Sequence, residues 1–404
     1  MFLKSSPKVL AGTAVLAMAV LGLSACSSGN ADSESSEASG KCGTVPNIAP
    51  IDPNGVLTGF NAEVVESFNG FPFTVQESAW MDWKSEKTSG FTAALVGQAP
   101  AAPFIATMNE SIRTSLVNEG FEVVADFAPD DPTNVPLQIQ QFQQALALKP
   151  DVIIFTAGAP EPAIDLVKAA YDAGIPVVGA QVPIDSPYAV SIVPNQVQQA
   201  MISGAASLGA IGGTGNVLRV NGIPGIQPQL DAKAGFDAVL ALCPDVKVAG
   251  EVTGLFQPPT AQAETIKFLS TNPAPIDAVL QDGTMGLGIA NAFNEVGQEL
   301  PVIGDIGASQ GFASYGLQNP EYPYNGTTQP AVRTGEVSVQ VAKMILQGAG
   351  PKLNQIVWNP FLMDQKNLSE YAKDSWPLES FAAVEGPADS FMPDSILNQY
   401  FTKP

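Results

Sequence analysis

The pentapeptide GASQG at residues 307–311 matches the G-x-S-x-G pattern, in which a serine nucleophile sits between a strand and a helix. A serine of this kind needs a general base, which in such hydrolases is a histidine. The chain of 404 residues contains no histidine. Serine–histidine triads, cysteine–histidine dyads and histidine-based zinc sites are therefore excluded. We interpret Ser309 as part of a loop at the start of a helix.

Three polar residues stand at the end of predicted strands, where open α/β sheets bind their ligands. Asn221, Asp282 and Asp305 each follow or close a short apolar run. Their oxygens can accept hydrogen bonds from the hydroxyl groups of a ligand. The alternative is a structural role, because these residue types are common as caps and in turns. Paired carboxylates also serve glycosidases, which makes Asp282 and Asp305 nominal candidates for that chemistry.

The N-terminus has the features of an export signal. Lys4 and Lys8 flank the start of an apolar run at residues 9–23, which is shorter than the roughly 20 residues that cross a bilayer. The sequence LSAC at residues 23–26 is similar to the bacterial lipobox, whose cysteine receives a diacylglyceryl thioether. We expect a signal peptide at 1–25, lipidation of Cys26 and a flexible tether at 26–41, since this Ser- and Glu-rich stretch has little apolar surface to bury. An ordinary signal peptide with a chance cysteine is the alternative.

Two further cysteines, Cys42 and Cys243, remain if Cys26 is lipidated. An exported chain with one remaining pair is compatible with a disulfide bond. The two residues lie some 200 positions apart, and the sequence carries no geometry. A bridge and two separate thiols both remain open.

Composition limits the partners. The formal charge is −21, and binding to nucleic acid depends on clustered lysine and arginine, so nucleic acid is an unsuitable partner. No second run is long and apolar enough to cross a membrane. We therefore expect membrane contact through the lipid at Cys26 alone.

From residue 91 onward, short apolar strands alternate with amphipathic helices. The run at residues 151–155 is typical of a parallel strand covered on both faces, and glycines at 120 and 174 follow helix ends. Nine or more such units predict an α/β fold of two doubly wound parallel-sheet lobes. A single β/α barrel of eight strands is the competing fold.

The order and spacing of several strings resemble the type I periplasmic-binding-protein superfamily, and within it the ribose-binding-like sugar-binding lipoproteins of ABC importers. The resemblance covers residues 91–364, about two thirds of the chain. The strings that carry it are KPDVII at 149–154, AGIPVV at 173–178, GNV at 215–217, NGIPG at 221–225, GF at 235–236, IDAVLQDG at 276–283 and MGLG at 285–288.

This resemblance implies two lobes joined by three crossings, a cleft that closes on a ligand, no catalysis, no cofactor and no metal. Lobe closure is the signal that a transporter reads. The implied partners are a small polar solute, most simply a sugar, and the permease subunits of an ABC transporter, with the protein itself a monomer. The implied divisions are an extension at 42–90, lobe 1 at 91–194 and 330–349, lobe 2 at 195–329 and 350–364, and a tail at 365–404 that packs on the lobes.

The resemblance also implies the ligand contacts. Phe104 corresponds to an aromatic residue that stacks on a sugar ring, and Gln329 to a glutamine beside a crossing. Asp282 matches a position that holds Asn or Asp in the family. The full set of candidate ligand residues is Phe104, Gln181, Asn221, Asp282, Asp305 and Gln329.

Three positions depart from the family pattern. Gln181 stands where an aspartate is common, Leu230 where an arginine is common, and Gln257 near a position that is often aromatic. A charged clamp on hydroxyl groups is thereby weakened. These departures favour a less usual sugar, a polyol or another small polar solute.

The leading function is therefore a solute-binding lipoprotein of an ABC importer, located on the outer face of the cell membrane, or facing the periplasm if an outer membrane exists. A ligand-binding module that reports to a membrane sensor is the first alternative. A lipid-anchored carbohydrate-active enzyme is the second, and steady turnover of a glycoside would distinguish it.

Overall fold

The computed structural model describes residues 41–387 and 391–403, so the leader and Cys26 lie outside the described residues. Strands and helices alternate from residue 92. The strands are β1 (Thr92–Val96), β2 (Glu122–Phe127), β3 (Val152–Phe155), β4 (Val177–Ala180), β5 (Ala189–Pro194), β6 (Gly215–Asn221), β7 (Val246–Thr253), β8 (Ala278–Gln281), β9 (Val302–Ile306), β10 (Asn325–Thr327), β11 (Gln355–Trp358) and β12 (Met363–Asp364).

The helices fill the connections between the strands, as right-handed crossovers require. They are α1 (Ala62–Ser67), α2 (Pro103–Asn118), α3 (Val135–Ala147), α4 (Ile164–Asp172), α5 (Gln196–Ala210), α6 (Gln227–Leu240), α7 (Pro258–Thr271), α8 (Gly286–Val296), α9 (Gln310–Gln318), α10 (Ala331–Leu346), α11 (Leu368–Tyr371) and α12 (Asp394–Leu397). Among the described residues, no helix is both long and apolar enough to cross a membrane.

The strands form two separate six-stranded sheets. The first has the order β11-β5-β4-β3-β1-β2 and the second the order β12-β10-β9-β8-β6-β7. Pairing is parallel except between β10 and β12. The prediction of two doubly wound parallel-sheet lobes is confirmed, and a single closed barrel is ruled out because each sheet is open.

Each sheet is buried on both faces, which explains its apolar sequence. All four residues of β3 and of β8 are buried. In lobe 1, α10 packs with β3, β4 and β5 around Ile154 and Val178, and in lobe 2, α5 packs on Val217 and Leu280. The helices thereby hold the carboxyl ends of the strands, and the loops that follow them, in fixed positions.

The chain crosses between the lobes where Pro194 of β5 is followed by α5, and again between β10 and α10. The third crossing differs from the expected one at residues 350–351. Gln355 of β11 pairs in parallel with Ser191 of β5 in the first sheet, whereas β12 pairs with β10 in the second. Residues 355–358 therefore belong to lobe 1 and the crossing lies at residues 359–362. A four-residue apolar strand can extend either sheet edge, so its sequence does not select the lobe.

The extension joins both lobes. Some of its apolar residues, among them Phe68 and Trp80, are fully buried in the lobe 1 core. Cys42 forms a disulfide with Cys243 of lobe 2, with a Cα–Cα distance of 4.8 Å. The Asn195 side chain, at the first crossing, donates hydrogen bonds of 2.8 Å to two extension carbonyls. Of the two possibilities that the sequence left open for these cysteines, the structure contains the bridge.

The tail also reaches both lobes. Leu368 and Val384 are buried in the lobe 2 core, and Tyr400 and Phe401 in the lobe 1 core. Between them, residues 380–385 run beside a cavity between the lobes.

Candidate ligand-binding cleft

One buried glutamine organises the cleft loops of lobe 1. Gln138 of α3 donates to the carbonyl of Gly97 after β1 at 2.6 Å and to that of Thr156 after β3 at 3.0 Å. Its Oε1 accepts from the amide of Gly158 at 2.9 Å. A neutral amide side chain can serve donors and acceptors at once, so it fixes two neighbouring loops without a buried charge.

A second buried glutamine does the same in lobe 2. Gln281, the last residue of β8, donates to the carbonyls of Gly304 and Ile306 at 3.0 Å each. Its Oε1 accepts from the amides of Gly283 and Met285 at 2.7 and 3.3 Å. The loop that carries Asp282 is therefore held against β9, and the site is preorganised in both lobes.

The ring of Phe256 lies over two glycines of the lobe 2 loops. A Cβ atom at Gly222 would overlap the ring, and one at Gly283 would stand 3.5 Å from it. Leu255 and Phe256 have φ values of 60° and 58°, and Thr284, which donates to the Phe256 carbonyl at 3.0 Å, has 59°. Left-handed backbone at non-glycine residues is costly and concentrates at functional sites. The partly exposed Phe256 ring is thus held against the loops after β6 and β8, on close-packed glycines.

Asp282 presents a free acceptor next to that ring. Its Oδ2 accepts from the amide of Gly222 at 2.6 Å, while Oδ1 is buried and meets no donor in the described part of the chain. Burial raises the pKa of Asp282 to about 6, although the Gly222 amide and the charge of Arg219 oppose the shift. A buried acceptor without a partner is costly, and a ligand hydroxyl would satisfy it.

Gln329 stands at the second crossing, between the same loops. Its side chain is largely buried, and Oε1 lies 3.1 Å from the position that a Cβ atom would take at Gly307. The same oxygen lies 4.0 Å from the corresponding position at Gly283. The Gln329 side chain therefore lies against the loops after β8 and β9. The Phe256 ring and Asp282 are also at the loop after β8.

A cavity of about 250 Å³ lies between the lobes, and Thr284 and Gly307 of the lobe 2 loops line it. Phe104, the second residue of α2, lines it from lobe 1 and is 8% exposed. The lining residues are Pro103, Phe104, Thr107, Ala331 and Val332 of lobe 1, Pro258, Thr284, Gly307 and Gln310 of lobe 2, and Phe381, Ala382, Ala383 and Glu385 of the tail.

Phe104 is the one candidate among these lining residues, and the lining does not include Gln181, Asn221, Asp282, Asp305 or Gln329. Gln181 follows β4 with a φ of 73°, and its Oε1 is buried without a partner among the described residues. The side chain of Asn221 donates to Glu251 at 2.9 Å and so points to the edge strand β7. Gln181 keeps an unused acceptor on the lobe 1 side, whereas Asn221 is engaged in its own lobe.

Asp305 lies in the core of lobe 2 and not on the cavity. It is fully buried, and its Oδ2 accepts from the hydroxyl of Tyr324 at 3.0 Å and the amide of Ser309 at 3.3 Å. Burial raises the pKa of Asp305 to about 7. Asp305 does not line the cavity. Its hydrogen bond with the amide of Ser309 connects β9 with the loop before α9.

Ser309 caps α9, because its Oγ accepts from the amide of Phe312 at 3.4 Å. Its place in the G-x-S-x-G pattern is that of a helix start, as the absence of histidine indicated. Within the described ranges, no group of three His, Cys, Asp or Glu side chains is arranged to hold a metal ion.

Sequence reasoning overlooked Phe256. It noted Gln257 near a position that is often aromatic, but the aromatic side chain is supplied by the preceding residue. The available signal was a phenylalanine close to the carboxyl end of a strand, since β7 ends at Thr253. Leu230, in the place of an arginine, is 46% exposed near the start of α6.

Comparison with known proteins places this geometry in context. A model described as periplasmic binding protein domain matches residues 93–350. A curated relative named xylitol-binding protein, from Mycolicibacterium smegmatis, is 26% identical over 211 residues. That alignment covers 52% of this chain and 60% of the relative, so the chain spans less than two thirds of the relative's length.

Solved structures share the fold. A solute-binding protein of an ABC transporter from Thermobispora bispora superposes with a TM-score of 0.65 at 23% identity, covering 77% of this chain and 94% of that one. One from Bacillus halodurans with bound myo-inositol gives 0.62 at 20% identity, covering 71% and 99%. One from Mycobacterium smegmatis with bound glycerol gives 0.63 at 17% identity, covering 71% and 98%. The family model matches well over half of the chain and the two-lobed fold agrees with it, so this protein belongs to the periplasmic binding protein domain family.

Proposed function

We propose that this protein is an extracytoplasmic solute-binding protein that captures a small polyol or sugar between its lobes and delivers it to the permease of an ABC transporter. The observation that carries the proposal is the cavity of about 250 Å³ between two lobes whose strand ends face it. Small-molecule pockets commonly range from about 300 to 1,000 Å³, so this cavity suits a single small solute.

The side chains around the cleft suit a polyhydroxylated ligand. Phe104 and Phe256 supply apolar surfaces for the C–H groups of a polyol or sugar. Asp282 offers a buried acceptor to a hydroxyl group, and Gln329 offers both a donor and an acceptor. Two carboxylates, those of Asp282 and Glu385, stand near the cleft without an arginine clamp, which favours a neutral ligand over an anion.

The names of the relatives and the ligands of the similar structures support a polyol or a sugar. The curated relative is named for xylitol, and two of the similar structures hold myo-inositol and glycerol. A flexible or fully hydroxylated ligand needs donors and acceptors distributed along its length. The neutral amides Gln181 and Gln329 provide these better than a charged pair would.

Binding without catalysis follows from the positions of the acids. A glycosidase needs two carboxylates on either side of one bond. Asp282 adjoins the cleft, but Asp305 is buried in the lobe core and bonded to Tyr324. The two therefore do not form the pair that the enzymatic alternative requires.

The proposal includes a lipid anchor at Cys26 and a monomer that works at the outer face of the membrane. Its support is the leader and the LSAC sequence. Metabolic labelling with a fatty-acid analogue should label the wild-type protein and leave Cys26→Ser unlabelled. Equal labelling of the two proteins would overturn the anchor and leave the solute-binding proposal standing.

The direct test is calorimetry of the mature chain without lipid, residues 27–404, against xylitol, myo-inositol, glycerol and D-arabinose, with amino acids and nucleosides as comparison classes. Saturable one-to-one binding to a polyol or sugar is expected. Lobe closure should also raise the melting temperature in the presence of that ligand. A folded sample that binds only an amino acid or nucleoside, or nothing in the panel, would contradict the proposal.

A further inference from the structure

The C-terminal tail lies outside the family match at residues 93–350, yet it borders the cleft. Segment 380–384 is attached to the loop before α9 of lobe 2 as an added extended strand, with a bridge between Ser309 and Ala383. Three backbone hydrogen bonds hold it there: Gln310 N to Ala382 O at 2.7 Å, Gly311 N to Ser380 O at 2.9 Å, and Val384 N to Ala308 O at 2.9 Å.

Tail residues form one wall of the cavity. Phe381, Ala382, Ala383 and Glu385 line it together with residues of both lobes, among them Phe104. Phe381 is 40% exposed, so its ring is not part of either lobe core. The space open to a ligand is therefore limited on one side by the tail and not by the lobes alone.

Glu385 ties this wall to the opposite lobe. Its two carboxylate oxygens accept from the amide of Val332, at the start of α10 in lobe 1, at 3.1 and 3.3 Å. The N-cap residue Pro330 makes no side-chain cap hydrogen bond. Glu385 therefore serves as the cap of this helix, where a negative charge is also favoured by the helix dipole.

The tail continues into the lobe 1 core. The ring of Phe391 lies 4.8 Å from that of Trp358, and the hydroxyl of Tyr400 donates to Val357 at 2.9 Å. The backbone of residues 380–384 is thus hydrogen-bonded to lobe 2, and the Glu385 side chain is hydrogen-bonded to lobe 1. The residues that follow in the tail pack in the core of lobe 1. These contacts hold the tail across the gap between the lobes in the present conformation.

We propose that tail segment 380–385 is a specificity-determining wall of the ligand site, which restricts it to a single polyol or monosaccharide, and that Glu385 holds this wall closed against lobe 1. The inference rests on the proposed function and adds residues to its site that lie outside the family domain. The ring of Phe381 sets the space available to the ligand. The contact between Glu385 and Val332 stabilises the closed arrangement whatever the ligand is.

The two roles predict different results. Removing the Phe381 ring enlarges the cavity, so a larger ligand gains affinity relative to a small one. Removing the Glu385 carboxylate lowers the population of the closed form, and the apparent affinity for every ligand falls by the same factor. A change in the ratio of the affinities for a large and a small ligand therefore tests the role of the wall. An equal loss of affinity for both ligands tests the contact between Glu385 and Val332.

The wall is tested with Phe381→Ala and the matched control Leu378→Ala, which removes an exposed apolar side chain of the same tail that does not line the cavity. Calorimetry with xylitol and with maltitol, a polyol enlarged by a glucosyl ring, gives the ratio of their affinities. We expect this ratio to shift towards maltitol by about tenfold or more in Phe381→Ala, which corresponds to about 1.4 kcal/mol. It should not change in Leu378→Ala.

The closing contact is tested with Glu385→Ala and Glu379→Ala, since Glu379 is an exposed glutamate of the same tail. Glu385→Ala should weaken binding of both ligands about equally, by about fivefold or more, while Glu379→Ala binds like the wild type. Melting curves must show that each variant is folded. If the wild-type protein binds a polyol and Phe381→Ala has the same ratio of affinities for maltitol and xylitol, the wall is overturned and the proposed function is left intact. If the wild-type protein binds no small polyol or sugar, both proposals are overturned.

Discussion

The ring of Phe256 covers Gly222 so closely that a Cβ atom at position 222 would overlap it. The amide of that same glycine donates to Asp282 at 2.6 Å. One residue without a side chain thus positions both an aromatic ring and a carboxylate at the strand ends of lobe 2.

The first prediction concerns this glycine. Gly222→Ala should displace the Phe256 ring and weaken ligand binding by about tenfold or more, because the apolar surface and the Asp282 loop move together. Gly59→Ala is the control, since a Cβ atom there meets nothing within 4 Å. Calorimetry measures both affinities, and equal affinities in the two variants would show that Phe256 has no part in the site.

The second prediction concerns the pH dependence of binding. Burial raises the pKa of Asp282 to about 6, and a ligand hydroxyl that donates to Oδ1 binds the ionised carboxylate best. Affinity should therefore increase with pH through about 6 and fall by about tenfold per unit well below it. Asp282→Asn should bind about tenfold more weakly at pH 7.5 and lose most of this pH dependence. An identical pH profile in the variant would place the titrating group elsewhere.

The third prediction concerns stability. The pKa of Asp305 is raised to about 7 by burial, above its value in the unfolded chain near 4, so the folded state binds the proton more tightly. The stabilisation of the folded state by the protonated Asp305 is therefore complete below about pH 4 and decreases as the pH rises to about 7. Asp231 and Asp282 have pKa values raised in the same direction by burial. Urea unfolding at pH 4.5 and 7.5 gives the free energy of unfolding at each pH. The change between the two values should be smaller for Asp305→Asn than for the wild type. An equal change would show that Asp305 is not the group responsible.

The fourth prediction concerns the disulfide. Cys42 and Cys243 close a loop with a sequence separation of 201 residues, which limits the unfolded chain strongly. Reduction should lower the free energy of unfolding by about 3–5 kcal/mol. The double variant Cys42→Ser with Cys243→Ser should match the reduced wild type in urea unfolding. Its ligand affinity should stay close to that of the oxidised protein, because neither cysteine lines the cavity. A large loss of affinity would link the bridge to the geometry of the cleft.

The fold class was predictable from local patterns. The all-apolar run at residues 152–155 and the helix-terminating Gly120 depend only on near neighbours in the chain, so they predicted parallel strands and crossover helices correctly. The position of Asp282 directly after a buried strand was predictable for the same reason, and its contact with a ligand stays a prediction. The absence of histidine is a property of composition alone, and it suffices to exclude a serine hydrolase role for Ser309.

Tertiary structure alone decided the features that depend on distant partners. β11 joins the sheet of lobe 1 because its backbone pairs with β5, and its four residues carry no mark of that choice. Asp305 and Asp282 follow similar strands, yet Asp305 accepts from Tyr324 in the lobe 2 core, whereas Asp282 accepts from the amide of Gly222 in the loop after β6. Glu385 reaches Val332 across 53 positions of sequence. Local pattern determines how a segment folds, but packing between segments determines which side chains remain available to a ligand.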